Sequence, residues 1–196
     1  RWTLAGETVV TGIGVHSGVQ VALRLAPASA GDGYVFVRAD LPGAPRIAAR
    51  PANVRSGHLA TVLQAGEASV STVEHLLAAL WGLGFTDAEL ILDGPEVPIL
   101  DGSAAPWVEA LRRVGANALA APRPYLDLPA AGVMAADRSV SAVPGLTTAV
   151  TVACDYGRSP AGPMLYALDL TPASFAAELA PARTFALEED VQAMRD

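Results

Sequence analysis

The stretch Ser71–Leu80 has the pattern of a helix in the interior of the protein. Its apolar residues follow the i, i+3, i+4, i+7 spacing of one helix face: Val73, Leu76, Leu77 and Leu80. Ser71 and Glu74 match a capping box, which predicts that Ser71 caps the start of the helix. His75 lies on the other side, together with two alanines. We therefore expect a helix that is buried on both sides and carries two titratable groups near its first turn.

The composition favours a folded protein and excludes several classes. The chain has 196 residues, of which 52% are hydrophobic and 17% charged, enough for one large domain or two small ones. Its net charge of −7, without a Lys/Arg cluster, argues against a nucleic-acid partner and against an electrostatic membrane anchor. The single cysteine, Cys154, excludes an internal disulfide and a cysteine-based zinc site, and we expect a buried thiol.

The sequence also gives expectations for the localisation of the protein and for the ends of the chain. The longest apolar run, around Leu76–Leu83, is far shorter than the ~20 residues of a membrane span, and no signal peptide is visible. We expect a soluble, cytoplasmic protein. The chain opens at Arg1 without a methionine, and Glu188–Asp196 has the acidic first turn of a helix without a stop signal. We expect the natural protein to continue past Asp196.

Strands precede helices in both halves of the chain, which favours an α+β fold over a doubly wound sheet. The predicted elements of the first half are strands at Val9–Gly14, Val19–Leu25, Tyr34–Val37, Arg46–Ala49, Leu59–Leu63 and Ala88–Leu92, and a second helix at Ala104–Val114. Those of the second half are strands at Tyr125–Leu128, Ser139–Val143, Thr147–Ala153 and Leu165–Leu168, a helix from Thr171 to Pro181, and an extended segment at Ala182–Leu187. We place a first domain at residues 1–116, a linker at 117–124 and the start of a second, incomplete domain at 125–196.

The spacing of titratable residues does not identify a reaction. His16, His58 and His75 are the three histidines, and no two of them have the separation of a metal-ligand pair. A lone helical histidine is more often structural than a metal ligand, and Glu74 can equally be interpreted as the carboxylate of the capping box. The glycine-rich segment that begins at Gly12 precedes a strand, so it does not meet the context of a dinucleotide fingerprint.

Four longer strings carry more information. They are Thr11–Gly18 (TGIGVHSG), Ser71–Leu80 (STVEHLLAAL), Asp93–Pro106 (DGPEVPILDGSAAP) and Ala182–Phe185 (ARTF), in this order. Together they closely resemble the UDP-3-O-acyl-N-acetylglucosamine deacetylases, zinc amidases of lipid A synthesis. The likeness covers nearly the whole chain and is strongest up to about Leu111.

The resemblance implies a fold and a set of roles. The fold is a pair of similar α+β domains, each a layered arrangement of sheet and helices, with the active site between them. His75 matches the first zinc ligand, and Glu74 matches the general base that takes a proton from the attacking water. Thr184 matches the hydroxyl that helps to hold the oxyanion of the tetrahedral intermediate. The resemblance thus implies roles for three residues to which spacing alone assigned none.

Substrate contacts are implied as well. Phe185 matches an aromatic residue near the sugar, His58 and Leu59 match residues at the mouth of the site, and His16 matches a histidine of the glycine-rich turn. The alternative interpretations are that Phe185 is a core residue and that His58 is a surface histidine. The implied substrate is an acylated UDP-N-acetylglucosamine, whose acyl chain suggests proximity to a membrane surface without a membrane span. No nucleic-acid partner is implied.

The chain also departs from the family pattern. The family takes its other two zinc ligands, a His and an Asp one helical turn apart, from a segment downstream of the Ala-Arg-Thr-Phe string, and these have no counterpart in residues 1–196. We therefore expect Zn²⁺ as cofactor, with one ligand present here, the other two beyond Asp196, and no activity of these 196 residues alone. The alternative is a non-catalytic, truncated relative of the same fold that binds a nucleotide-sugar or a partner without metal.

Overall fold

The computed structural model describes residues 1–57, 59–123, 125, 129–155, 157 and 162–185. The strands of the first half are β1 (Trp2–Leu4), β2 (Thr8–Ile13), β3 (Gln20–Ala26), β4 (Tyr34–Arg38), β5 (Arg46–Ala48), β6 (Val54–Ser56), β7 (Val62–Ala65), β8 (Ala68–Val70), β9 (Ala88–Leu92) and β10 (Ala116–Ala118). Those of the second half are β11 (Ala131–Ala135), β12 (Arg138–Ala142), β13 (Ala149–Asp155) and β14 (Pro163–Asp169). The helices are α1 (Glu74–Gly82), α2 (Ala105–Val114) and α3 (Pro172–Ser174), which continues as a π-helix at Phe175–Leu179, and a 3-10 turn spans Pro51–Asn53.

A five-stranded sheet forms the centre of the first half. Its order is β2-β3-β9-β4-β5, and every neighbouring pair is antiparallel except β4 and β9. Parallel strands need a crossover connection, and α1 lies within the connection from β4 to β9. On β3, Val21, Leu23 and Leu25 are buried while Gln20 and Arg24 are exposed, as the alternating pattern predicts.

The two main helices cover one face of this sheet. α1 and α2 contact each other, and α2 also contacts β2. Leu76 and Leu80 of α1 and Trp107 and Leu111 of α2 are fully buried and belong to the same hydrophobic core as the inward residues of β3. A three-stranded sheet, β6-β7-β8, lies beside the main sheet and contacts it through β4 and β5. The prediction of an α+β fold is confirmed.

Helix α1 is only partly buried on the side of His75, so the prediction of burial on both sides holds only in part. Leu76, Ala79 and Leu80 are buried, but Ala78 is exposed and Trp81 is 46% exposed. Glu74 and His75 are half-buried. The outer face of the helix therefore reaches solvent, and the two titratable side chains lie at the edge of the core.

The predicted elements of the first half occur with shifted ends. The strand predicted at Leu59–Leu63 begins only at Val62, since Leu59 has a φ of 60°, the left-handed conformation that strands do not adopt. In the second half, β12, β13 and β14 match predicted strands. The predicted strand at Tyr125–Leu128 and the predicted helix in residues 188–196 fall largely or wholly outside the described residues. The proposed division into domains at 116 and 125 stays a prediction.

The second half contains two hairpins, β11–β12 and β13–β14, whose residues are mostly exposed. After β14, Thr171 and Ser174 form a capping box, and the following helical turns are joined to the core of the first half. Phe175 is 5% exposed and Ala180 is fully buried. A Cβ atom at Gly82 of α1 would lie 2.4 Å from the Phe175 ring, so the ring seats directly on that glycine.

Beyond the C-terminal end of α1, a buried carboxylate joins several loops. Asp87 is fully buried and accepts hydrogen bonds from the Gly31 and Gly33 N–H groups at 2.8 and 2.9 Å. It also accepts from the Thr86 hydroxyl at 2.6 Å and the Arg1 guanidinium at 2.9 Å. Burial by itself raises the pKa of Asp87, but these hydrogen bonds outweigh it and hold the pKa below its ordinary value.

Tyr34 lies close to this loop cluster. Its hydroxyl donates to the Phe85 carbonyl at 2.6 Å, and burial raises its pKa to about 12. In the described part of the chain, no helix is long and apolar enough to cross a membrane.

Candidate active site

The chain enters α1 through an unusual backbone path. Ser71 pairs with Glu96 in a parallel bridge, and its N–H donates to the Pro95 carbonyl at 3.0 Å. Thr72 then adopts a φ of 58°, and the helix begins at Glu74 after the N-cap residue Val73, which makes no side-chain cap. The predicted capping box of Ser71 and Glu74 is therefore wrong, because the bridge holds Ser71 away from the first turn.

Glu74 is bound to a neighbouring loop. Its Oε2 accepts a hydrogen bond from the Thr61 N–H at 3.0 Å, which fixes the carboxylate in place. Its Oε1 accepts no hydrogen bond from any residue that the structure describes. One oxygen is thus anchored, and none of the described residues donates to the other, an arrangement compatible with a general base.

His75 follows Glu74 in the first turn of α1. Within the described ranges, its imidazole makes no hydrogen bond or ion pair and is half-buried. The same residues contain no group of three or more His, Cys, Asp or Glu side chains able to hold a metal ion. At this position the described residues thus supply one nitrogen donor and not the three protein ligands of a catalytic zinc site.

The loop that binds Glu74 carries two of the predicted substrate residues. Leu59 is 64% exposed and left-handed, two residues before Thr61. His58 lies outside the described residues. The Thr61–Glu74 hydrogen bond therefore brings the Leu59 loop next to the predicted base.

The glycine-rich turn after β2 is connected to the same region through Glu96. The His16 N–H donates to Glu96 Oε1 at 3.1 Å, and the Ser17 N–H donates to Oε2 at 2.8 Å. Thr72, at the entry to α1, donates its hydroxyl to Oε1 at 2.8 Å. The backbone of His16 is thereby tied to the segment before Glu74, while its side chain is exposed.

Glu96 is the residue of this region to which sequence analysis gave no role. It is fully buried between two prolines in an otherwise apolar string, and a charged residue in such a string was the signal that could have singled it out. Burial raises the pKa of its carboxyl, but donors on Ser17, Thr72 and His16 outweigh that effect and hold the pKa below its ordinary value.

Thr184 is positioned by the loop before α2. Its N–H donates to the Gly102 carbonyl at 2.8 Å, and the Arg183 Nε donates to the Asp101 carbonyl at 2.6 Å. The Ala104 N–H donates to the Ala180 carbonyl at 3.0 Å. These bonds hold the end of the described chain, with Thr184 exposed, against the first half of the protein.

The last two features of this region are the exposure of Phe185 and the connection of the Gly102 loop to the glycine-rich turn. Phe185 is 54% exposed, so it is not a core residue. The Ile99 N–H donates to the Ile13 carbonyl at 3.1 Å, which links the loop that holds Thr184 to the end of β2, just before the glycine-rich turn. The structure therefore links the segment of Thr184 to the glycine-rich turn through the Ile99–Gly102 loop. The Thr61–Glu74 bond places the Leu59 loop against α1, and Glu96 ties the turn of His16 to the segment before α1.

A family model described as UDP-3-O-acyl N-acetylglycosamine deacetylase matches residues 1–196. The chain belongs to this family. Proteins named UDP-3-O-acyl-N-acetylglucosamine deacetylase are similar over nearly its full length. The one from Thermosynechococcus vestitus is 45% identical over 194 residues, which are 98% of this chain and 67% of that protein. The one from Nostoc sp. is 42% identical over 97% of this chain and 70% of that protein.

The likeness extends to more distant members of the deacetylase family. The protein of the same name from Citrifermentans bemidjiense is 38% identical over 98% of this chain and 64% of its own length. The resemblance inferred from the four strings is therefore confirmed. Glu74, His75 and Thr184 lie in those strings, and their roles stay predictions.

Proposed function

We propose that this protein removes the N-acetyl group from UDP-3-O-acyl-N-acetylglucosamine, a hydrolytic step in lipid A synthesis. Membership in the deacetylase family over residues 1–196 carries the proposal. The proposal places the reaction in the cytoplasm, with the acyl chain of the substrate near a membrane surface. The substrate class is the one for which the relatives are named.

In this proposal Glu74 is the general base. The hydrogen bond from Thr61 orients its carboxylate, and Oε1 takes the proton of the water that attacks the acetamide carbonyl. Thr184 donates its hydroxyl to the oxygen that becomes negative in the tetrahedral intermediate, where a fixed donor is most effective. The proton held by Glu74 then goes to the departing amine of the sugar.

We further propose that His75 is one ligand of a Zn²⁺ ion. Its half-buried imidazole, which makes no hydrogen bond to the described residues, supports this role. When bound, zinc would acidify the attacking water and polarise the carbonyl. Its remaining ligands have no counterpart in residues 1–196, so this stretch alone should bind zinc weakly and should not turn over substrate.

We assign four further residues to substrate binding. Leu59, on the loop that binds Glu74, and Phe185, next to Thr184, are both exposed apolar side chains suited to contact the sugar or acyl chain. His16 and His58 complete the set that we assign to the mouth of the site.

A substitution of Glu74 tests the proposal. In the full-length, zinc-loaded protein, Glu74→Gln should retain its zinc content but lower kcat by at least about 100-fold, since the shape of the side chain is kept and proton transfer is lost. Glu67→Gln, which alters an exposed glutamate in the turn between β7 and β8, is the matched control and should leave kcat unchanged. Normal turnover by Glu74→Gln would show that Glu74 only anchors the Thr61 loop.

The alternative function is metal-free binding of a nucleotide-sugar without turnover. It is favoured by the lack of a three-donor group among the described residues. Calorimetry with UDP-N-acetylglucosamine distinguishes the two. Binding that persists in excess chelator, together with no deacetylation by the full-length protein, would favour the alternative. Tight, one-to-one zinc binding with turnover by the 196 residues alone would refute the expectation of inactivity.

A further inference from the structure

Glu96 is a buried ionised group that the proposed reaction does not use. Its side chain is fully buried, yet it lies between the glycine-rich turn and the segment before α1 and binds both. Every hydrogen bond described for its carboxylate comes from one of these two segments. An ionised carboxylate in such surroundings is retained only where several donors compensate its burial, and here they come from chain segments 24 to 80 residues away.

The glycine-rich turn is fitted closely around this carboxylate. A Cβ atom on Gly14 would lie 2.3 Å from Glu96 Oε2, so the turn reaches the carboxylate only because residue 14 is glycine. The Gly14 N–H pairs with the Val19 carbonyl at 3.0 Å, and the Gly18 N–H pairs with the Gly14 carbonyl at 2.9 Å. The turn is therefore a compact loop with the Glu96 carboxylate at its centre.

On the other side, Glu96 holds a residue in a disfavoured conformation. Thr72 has a φ of 58°, and for a β-branched residue this left-handed conformation persists only where the surroundings impose it. The hydroxyl of Thr72 donates to Glu96 at 2.8 Å, and the flanking Ser71–Glu96 bridge fixes the backbone. Thr72 stands two residues before Glu74, so its conformation sets the direction in which the first turn of α1 begins.

We propose that Glu96 is a positioning residue for the Glu74–His75 turn, acting through Thr72. Without the carboxylate, Thr72 can relax toward an ordinary conformation, and the first turn of α1 then shifts relative to the Thr61 loop. The Thr61–Glu74 hydrogen bond is the direct reporter of that shift. This inference rests on the proposed function for its kinetic consequence, but its structural consequence can be measured without turnover.

The test compares Glu96→Gln with Asp87→Asn in the full-length protein. Asp87 is the matched control, because it is equally buried and also accepts several hydrogen bonds but lies beyond the other end of α1. Amide hydrogen exchange is read at Thr61, which reports on Glu74, and at Gly31 and Gly33, which report on Asp87. Deacetylation kinetics are measured on the same samples.

We expect a reciprocal result. Glu96→Gln should speed exchange at Thr61 by at least about tenfold and lower kcat by about 10-fold to 100-fold with a small change in KM, because a displacement near 1 Å has such effects on a catalytic group. Asp87→Asn should speed exchange at Gly31 and Gly33 and leave kcat within about twofold. Thr72→Val, which removes only the hydroxyl, should reproduce part of the loss in kcat.

Two results would overturn the inference: unchanged exchange at Thr61 in Glu96→Gln, or a loss of kcat no larger than in an equally destabilised Asp87→Asn. A wild-type protein without deacetylase activity would count against the proposed function alone. In that case, the positioning role would still be supported if exchange at Thr61 were faster in Glu96→Gln and unchanged in Asp87→Asn.

Discussion

The contact between Gly82 and Phe175 allows a test in which one substitution should have opposite effects in two backgrounds. A methyl group on Gly82 would meet three atoms of the Phe175 ring, two at 2.4 Å and one at 2.6 Å. Carbon atoms normally rest about 3.5–4.0 Å apart, so the ring has to move by roughly 1 Å or more. Because Cγ is one of the three atoms, rotation of the ring about its own axis cannot relieve the clash.

Two terms of opposite sign set the magnitude for Gly82→Ala. Overpacking against a buried ring costs about 1–3 kcal/mol, and we take the middle of that range for this clash. Alanine in place of helical glycine contributes up to about 1 kcal/mol of stability, and less at Gly82 because it is the last residue of α1. We therefore expect a net loss of about 1–2 kcal/mol in the free energy of unfolding.

Urea denaturation measures this loss, both in the wild-type background and in Phe175→Ala. With a slope of about 2 kcal/mol per molar urea, the wild-type background should show a midpoint lower by roughly 0.5–1 M. In Phe175→Ala the clash is gone, so Gly82→Ala should be neutral or slightly stabilising. Gly6→Ala, where an added Cβ meets only one side-chain atom at 4.0 Å, should change the free energy of unfolding by less than about 0.5 kcal/mol. Equal destabilisation by Gly82→Ala in both backgrounds would refute the steric explanation.

Two further predictions concern the loops beyond the C-terminal end of α1. Tyr34→Phe removes the hydrogen bond to the Phe85 carbonyl and should lower the free energy of unfolding by about 1 kcal/mol, as measured by urea denaturation. In a spectrophotometric pH titration, the phenol with a pKa of about 12 should be missing from this variant. The pKa of Asp87 is lower in the folded than in the unfolded state, so its stabilisation is present above the unfolded pKa and is lost as the pH falls through the folded pKa. Urea midpoints measured from pH 6 downward should therefore fall more steeply below about pH 4 for the wild type than for Asp87→Asn, and parallel curves would contradict the assignment.

Local patterns were sufficient for elements whose signal lies within a few consecutive residues. The alternation on β3 and the helical spacing of α1 and α2 reflect which side chains face the core, and the sequence shows both directly. Three-residue strands such as β6 and β8 are too short to carry a period, and sequence analysis did not detect them.

The entry to α1 shows why a correct local pattern gave a wrong boundary. Ser71 and Glu74 have capping-box spacing, but the N–H of Val97 donates to the Ser71 carbonyl at 3.0 Å, and this pairing with a distant segment prevails over the local preference. The role of Glu96 was hidden for the same reason, because its partner His16 is 80 residues away. The candidate site could be predicted from strings that resemble a family, but the bonds that organise it could not be derived from spacing.

The π-helix at Phe175–Leu179 has a consequence for how chain length determines the position of Thr184. The Ala180 N–H donates to the Phe175 carbonyl at 2.8 Å, so this turn closes over five residues instead of the four of an α-helix. Phe175 is fixed in the core at one end of the segment and Thr184 is fixed to Gly102 at the other. The number of residues between these two anchors therefore matters in itself. Deleting one residue would tighten the turn to α-helical closure and rotate the segment that follows by roughly 100°. The hydroxyl of Thr184 would then move away from its loop, even though every remaining side chain was unchanged.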